Sequence, residues 1–528
     1  MPSYKAANID ELKPGEKKCV TCGGLKLLLA RLAEGYFAVQ NRCPHRQGQL
    51  CDGRLDREKG EIACGLHGWN FDLRTGVSPY DPNDRLETYR VDELEDGIYI
   101  NLPVKKEMPP LNDYLDPWRR RRDVLETDME MIHHMADGWI GEKGYTEPMR
   151  PEKQEKLWNR IVFLPRQVSA FPIIDGEEVK LSTVIGKGAK KPLTISLPVY
   201  VSHMSFGALS REAKIALAKG SAMAGTMICS GEGGMMPEER ENADTYIFEM
   251  ASGYFGWNEE NMNKADAIEI KMGQAAKAGK GGMLPAGKVT GEIAKVRGLE
   301  PGENAISPAR FPDINSIADL RVRISEIRQT TGGKPVGIKF AASRIEEDLA
   351  AALECEPDFI TIDGRGGATG AAPKHIKDSI CVPTLFALDR ARRFLEKQGV
   401  EIDLLVTGGF RLPSDFAKAI ALGATAVASA SAAMMAIGCQ QYRACHTGRC
   451  PVGIATQDPY YRSRLDVEAS AQKLANFFKT AAFQMADFAR ICGRKRIHDL
   501  SLSDIATTDG EIAKYTSIRH VGEGERLE

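Results

Sequence analysis

The chain has 528 residues, of which 27% are charged and 43% hydrophobic; that is the length of two to four domains and ample for a large core. Its 70 Lys and Arg against 72 Asp and Glu leave a net charge of −2, so no overall field favours nucleic acid or an anionic membrane. No run of eighteen apolar residues occurs and Met1-Pro2-Ser3-Tyr4-Lys5 is not a secretory leader, so a soluble, cytoplasmic protein with no membrane or nucleic-acid partner is expected.

The N-terminal segment, residues 1–104, opens with short apolar runs at Leu25–Ala30 and Gly35–Val39 that read as β-strands. Cys19 and Cys22 form a C-x-x-C with no second such pair to complete a metal site, and Cys22-Gly23-Gly24 reads as a turn. Cys51, Cys355, Cys381 and Cys492 read as ordinary buried thiols. Twelve cysteines in a chain this long are not a disulfide framework.

Cys43-Pro44-His45 and Cys64-Gly65-Leu66-His67 stand eighteen residues apart. Two thiolates on one iron and two imidazoles on the other make a Rieske [2Fe–2S] centre, a one-electron relay of raised potential. A Cys2His2 zinc site is the competing reading, which the C-x-H half and the gap fit poorly. Residues 18–103, closing with the strand Gly97–Asn101, resemble a whole small Rieske domain of the ferredoxin or ring-hydroxylase type. Respiratory Rieske proteins link their ligand loops by a disulfide; Gly48 and Gly65/Leu66 occupy those places here. The resemblance therefore implies no loop-linking disulfide and a lower potential.

Residues 105–155, rich in charge and proline, read as a linker that wraps the next domain, with Arg119–Arg122 as a solvated basic run. His133-His134 is adjacent on a helix, so its side chains diverge and give no iron site for ring hydroxylation.

Over 156–505 short apolar strands alternate with amphipathic helices. The strands are Pro198–Ser202, Thr226–Cys229, Ala267–Lys271, Val336–Phe340, Phe359–Asp363, Leu404–Thr407 and Thr425–Ala428. Helices such as Arg211–Met223, Ile317–Gln329, Ile345–Ala352, Leu385–Glu396 and Ser414–Leu422 lie between them. This alternation predicts a parallel (β/α)8 barrel with its site at the carboxyl ends of the strands. The fold class expected for the chain is thus α/β, a TIM barrel preceded by an all-β Rieske domain. Residues 506–528 read as a polar tail.

Cys439, Cys445 and Cys450, spaced C-x5-C-x4-C among glycines, offer the three thiolates that a [3Fe–4S] cluster needs. His446 reads as a donor beside such a cluster rather than as a ligand. On spacing alone, three unrelated cysteines in a loop are as good a reading.

The loops of this region, in order, resemble the FMN-binding synthase domain of the glutamate synthase family. They are Met204-Ser-Phe-Gly-Ala-Leu-Ser210, Ser230-Gly-Glu-Gly-Gly234, Gly273–Pro285, Asp363–Pro373, Thr407-Gly-Gly409 and the cysteine loop Gly438–Gly453. The resemblance implies FMN, with Ser202, Met204 and Ser205 behind its ring. Lys339, a cation on an apolar strand, would stabilise the reduced ring, and Gly366, Gly367, Gly370, Gly408 and Gly409 would present amides to its phosphate. It also implies that Gln274, Lys277 and Arg297 hold a 2-oxo acid, and that Glu232 and Lys277 serve the reacting carbon and move a proton. The cysteine loop is similar to the cluster loop of the family, which decides for [3Fe–4S].

The chain departs from the family pattern in three places. Gly366 replaces an aspartate, Met283 a glutamine, and Phe311-Pro312 a histidine pair, while Arg310 and Arg365 add cations. Neither a glutaminase segment nor a dinucleotide fingerprint is found. Ammonia is expected from a separate source, and electrons from an external protein of ferredoxin or reductase type through the Rieske centre. The expected activity is hydride transfer from reduced FMN to an imine of a 2-oxo acid, such as 2-oxoglutarate with ammonia or an amine, in a homo-oligomer. Two alternatives keep the same cofactors: oxidation of an N-substituted amino acid, and a non-catalytic electron-transfer subunit.

Overall fold

The computed structural model describes residues 2–44, 48–66, 68–79, 85–102, 128–138, 157–367, 379–442 and 445–524, with 115, 118, 120, 123, 126, 369, 372 and 376. His45, His67, Gly370 and most of the expected linker lie outside the described residues. The chain divides into two units, Met1–Asp116 and Pro117–Glu528.

The first unit is an antiparallel six-stranded sheet ordered Ser3–Ala7, Gly97–Asn101, Thr88–Leu94, Gly35–Gln40, Leu25–Leu32, Lys17–Cys22. A second sheet joins Arg54–Asp56, Glu61–Ala63 and Asn70–Asp72. Strand alternation sends Leu27, Leu29 and Ile100 to one core. It sends Leu28, Ala30 and Val39 to another, where they meet Cys43, Ile62, Cys64 and Phe71. The all-β expectation holds for this unit.

One cysteine expectation fails. Cys51 is not a free thiol but is bonded to Cys19, with Cα atoms 5.7 Å apart. Cys19 lies on a strand and Cys51 in the turn Leu50–Asp52 that follows the first ligand loop, so the partners come from elements remote in sequence. Cys22 stays free and buried. No disulfide joins the two ligand loops among the described residues, and a side chain at Gly48 would come within 2.8 Å of Leu66 Cβ.

The second unit is a closed barrel of eight parallel strands. In order they are Val199–Val201, Met227–Cys229, Thr245–Met250, Ala267–Lys271, Val336–Ala341, Phe359–Asp363, Asp403–Thr407 and Ala426–Ser429. Sequence patterning finds all of them but the third, Thr245–Met250, whose apolar run is broken by the buried Glu249. The hairpin Thr183–Ile185/Leu193–Ile195 packs Ile185, Leu193 and Ile195 against Tyr200, Met227, Phe359 and Leu405 and closes the amino-terminal end.

The long helix Val467–Ile491 lies along Arg211–Met223, so close that a side chain on Gly220 would reach 2.7 Å from the Ala471 carbonyl oxygen.

The polar tail is a second correction. Ile505–Thr507 is a buried strand paired with Ile161–Phe163, and Gly510–Tyr515 is a helix capped by Asp509. Ser517 N–H donates to Asp389 (2.8 Å). Buried Ile505, Ile512 and Ile518 give this segment the apolar contacts that its overall polarity conceals.

The helix Met129–Ala136, in the expected linker, buries Met129, Ile132 and Met135 and packs on Val467–Ile491. Among the described residues no helix is long and apolar enough to cross a membrane.

Candidate functional site: the carboxyl mouth of the barrel

Strand register places the charges of the mouth. Period-two alternation puts Glu269 and Lys271 on the same face of one strand. The neighbouring strands align Glu249 with Glu269 and Lys339 with Lys271. Two acids and two ammoniums thus form adjacent layers at the top of the barrel.

Lys339 bonds Glu249 and lies 3.8 Å from Glu269. Lys271 lies 3.6 Å from Glu249 and 2.9 Å from Glu232. Lys277 reaches the same Glu232 oxygen at 3.1 Å, and the Ser307 hydroxyl donates to the other. His203 bonds Glu269 and lies 3.7 Å from Glu249. Lys339 fills the space between the two buried acids, so the His203, Cys229, Glu249 and Glu269 cluster is a charge-balanced layer rather than a metal site.

These contacts set the protonation states. Burial pushes Glu232 up, but Lys271, Lys277 and Ser307 outweigh it and hold the carboxyl far below its usual range. Glu249 is likewise pushed up by burial and pulled down, to about 2, by Lys271, Lys339 and His203. Burial lowers Lys271, but Glu249 and Glu232 overcome this and raise it. Lys277 is lowered by burial and by Lys271 despite Glu232. Glu232 faces two ammoniums and stays ionised. Lys277 shares that one carboxylate with Lys271 and is the more readily deprotonated of the two. Burial lowers Arg297 to about 10.

A cavity of about 200 Å³ holds these groups together with Met204, Ser205, Gln274, Arg297, Ser307 and Cys445. Arg297 stacks 4.8 Å over Phe255 and donates through Nη2 to the Phe206 carbonyl (2.8 Å). Its Nε is buried with no acceptor, a cost of about 1–3 kcal/mol that an anionic ligand would relieve.

A second cavity of about 50 Å³ shares His203 and Gln274 with the first and is lined by Ser202, Lys339, Gly366, Gly367, Gly408 and Gly409. Gly408 has φ +121°, and a side chain there would strike the Gly364 carbonyl oxygen at 2.3 Å. This is bare backbone of the sort that cradles a phosphate. The sequence-derived residues for FMN and the 2-oxo acid, apart from the undescribed Gly370, therefore line two joined cavities.

Sequence reading missed Lys271, Glu249, Glu269, His203 and Ser307. A signal for two of them was present: charged residues at alternate positions of the apolar strand Ala267–Lys271 point to one interior face.

In the cysteine loop, burial raises the Cys439 thiol, and Cys445 and Cys450 raise it further. Burial also raises Cys450, against backbone N–H groups of Ala455, Val452, Ile454 and Gly453 that point at its sulfur. Such donors suit a cluster thiolate. The segment before the barrel braces this loop: Arg120 N–H donates to Gln440 Oε1 (2.7 Å) and a His133 ring nitrogen lies 3.1 Å from the Cys439 carbonyl oxygen. His133 therefore touches the cysteine loop. In the N-terminal unit Cys43 and Cys64 are buried and in no disulfide.

Residues 131–495 match the family described as a conserved region in glutamate synthase, and residues 3–90 match the Rieske [2Fe-2S] domain. A glutamate synthase large subunit-like protein of Rhizobium meliloti is 35% identical over 69% of this chain and 87% of its own length. Archaeal glutamate synthase [NADPH] of Methanocaldococcus jannaschii is 40% identical over 62% of this chain and 65% of its own. The archaeal-type enzyme of Thermotoga maritima is 39% identical over 64% of this chain and 67% of its own. The chain thus spans about two thirds of the length of these archaeal-type relatives. With the closed barrel and the ordered set of mouth residues, these matches make the chain an oxidoreductase of the glutamate synthase family that carries an N-terminal Rieske [2Fe–2S] domain.

Proposed function

We propose that the barrel mouth reduces an imine formed from a 2-oxo acid and ammonia or an amine, giving the amino acid. The observation that carries this reading is the Glu232–Lys271–Lys277 cluster in one cavity with Arg297. Arg297 and Lys277 supply cations for the carboxylates of a 2-oxo acid such as 2-oxoglutarate. Gln274, on the wall common to both cavities, adds an amide. Gly366, Gly367, Gly408 and Gly409, with Lys339 on the same cavity wall, would hold FMN, which would supply the hydride when bound. Glu232, kept ionised by its two lysines, attracts ammonium or steadies the iminium carbon–nitrogen bond. Lys277, the lysine with the lowered proton affinity, donates and recovers the proton.

Cys43, His45, Cys64 and His67 would hold the [2Fe–2S] cluster, and Cys439, Cys445 and Cys450 a [3Fe–4S] cluster. Electrons would enter from an external ferredoxin-like or reductase protein, and ammonia from a separate source.

The test is anaerobic. Photoreduced holo-protein is mixed with 2-oxoglutarate and ammonium or methylamine, and flavin reoxidation is followed with mass spectrometry of the product. Glutamate or N-methylglutamate is expected. Absence of reoxidation by any 2-oxo acid, with flavin and clusters intact, would overturn the reading and turn attention to oxidation of amino acids.

A further inference from the structure

A lysine stands where the helix Arg211–Met223 faces the barrel, wholly buried among Ala213, Ala216 and Leu217. Its ammonium has three partners. Lys214 Nζ donates to the Met204 carbonyl and to the Ser230 carbonyl (2.8 Å), and lies 2.6 Å from Glu239 Oε1. The other Glu239 oxygen accepts from the Tyr246 hydroxyl (2.9 Å). Burial pushes the Glu239 carboxyl up to about 7, against the pull of Lys214 and Tyr246.

The two carbonyls belong to the two loops that bring Ser205 and Glu232 to the cavity. Met204 immediately precedes Ser205, and Ser230 stands two residues before Glu232. The loops touch: a side chain on Gly231 would lie 2.7 Å from the Met204 and Ser205 backbone. Ser230 also accepts, through Oγ, the N–H of Glu249 (2.9 Å), so the same node reaches the charged layer below.

Folding alone does not require such a pair, because buried ion pairs can often be exchanged for apolar residues of similar volume at little cost. An apolar side chain, however, cannot hold one carbonyl from each of two loops.

We propose that Lys214 is a positioning residue, an internal clamp that ties the Met204–Ser205 loop to the Ser230–Glu232 loop and so sets the place of Glu232 across the cavity. Glu239 and Tyr246 anchor the clamp from behind. The catalytic consequence rests on the function proposed above; the mechanical one does not.

The test uses the full holo-protein carrying Lys214→Met with Glu239→Leu, which removes the pair together. Amide hydrogen exchange is read on peptides covering 203–210 and 229–236, alongside Tm, FMN content, 2-oxoglutarate affinity and single-turnover reoxidation. At least tenfold faster exchange in those two loops is expected, with the other barrel peptides and FMN content unchanged. Reoxidation should slow at least tenfold while 2-oxoglutarate affinity moves less than threefold.

Unchanged exchange in the two loops overturns the clamp, whatever the rates. Exchange that rises while the rate stays within threefold overturns the positioning role. If wild-type protein is not reoxidised by any 2-oxo acid, the proposed function fails and the exchange result still decides the clamp. Should the double variant not fold, Lys214→Met alone, in which Glu239 can stay protonated beside Tyr246, is read by the same criteria.

Discussion

The ligand loops of the N-terminal unit are shaped by the main chain. Cys43 N–H donates to Gly48 O (2.9 Å), Cys64 N–H to Trp69 O (2.8 Å) and Gly68 N–H to Cys64 O (2.8 Å). The mouth of the barrel is shaped by charge, with Glu232, Glu249 and Glu269 set against Lys271, Lys277, Lys339 and His203. Turns of the first kind need particular residues close together in sequence. A network of the second kind needs residues from many strands and is assembled only when the barrel closes. The first is therefore local and separable, and the second is cooperative.

The largest effect should come from breaking the local half. Cys43→Ser or Cys64→Ser should abolish the [2Fe–2S] signal in electron paramagnetic resonance, because each removes one of the two thiolates proposed to hold the cluster. FMN content and the substrate-driven reoxidation of photoreduced flavin should stay as in the wild type. Loss of flavin in these variants would show that the two halves are not separable.

In the cooperative half, Glu232→Gln and Lys277→Met should each slow that reoxidation by roughly 10²-fold or more, the usual worth of a positioned acid–base group. Because the two share one contact, the double variant should be far less than the product of the two. Additive losses would show that they act independently.

Acid should dissolve the cooperative network before the local turns. Glu249 has its folded carboxyl at about 2 against an ordinary 4.5. The folded barrel then binds fewer protons than the unfolded chain, so this contribution is complete above about pH 4.5 and is lost as pH falls through about 2. Urea midpoints of the barrel measured across that window should fall steeply, and Glu249→Gln should flatten the slope. An unchanged slope would take Glu249 out of the network.

The most confined effect belongs to the Cys19–Cys51 bond. Its 32-residue separation corresponds to about 3–4 kcal/mol of chain-entropy stabilisation, confined to the N-terminal unit. Reduction or Cys51→Ala should lower the thermal transition of that unit only, as followed by calorimetry.

What could be read from the sequence followed the same division. The Rieske domain, the glycine turns and most strands were legible because their signals lie within a few residues of one another. The strand Thr245–Met250 was not, since a charge that pairs across the barrel looks, in one dimension, like a break in an apolar run. Lys271 was only half legible: its alternation with Glu269 marks an interior face, but its partners Glu232 and Glu249 come from other loops and strands. Cys51 read as a plain thiol because its partner lies on a distant strand. Residues 506–528 read as a tail because their few buried residues, such as Ile512 and Ile518, are spread among polar ones.

The pairing of Ile161–Phe163 with Ile505–Thr507 closes the barrel unit on itself. Thr508 N–H donates to the Arg160 carbonyl (2.9 Å), and Arg160 pairs with Asp509. Entry and exit of the barrel thus lie side by side, like the two ends of a clasp. A chain that joins the region after 509 to the region before 160 by a short linker and opens elsewhere should still build the same mouth.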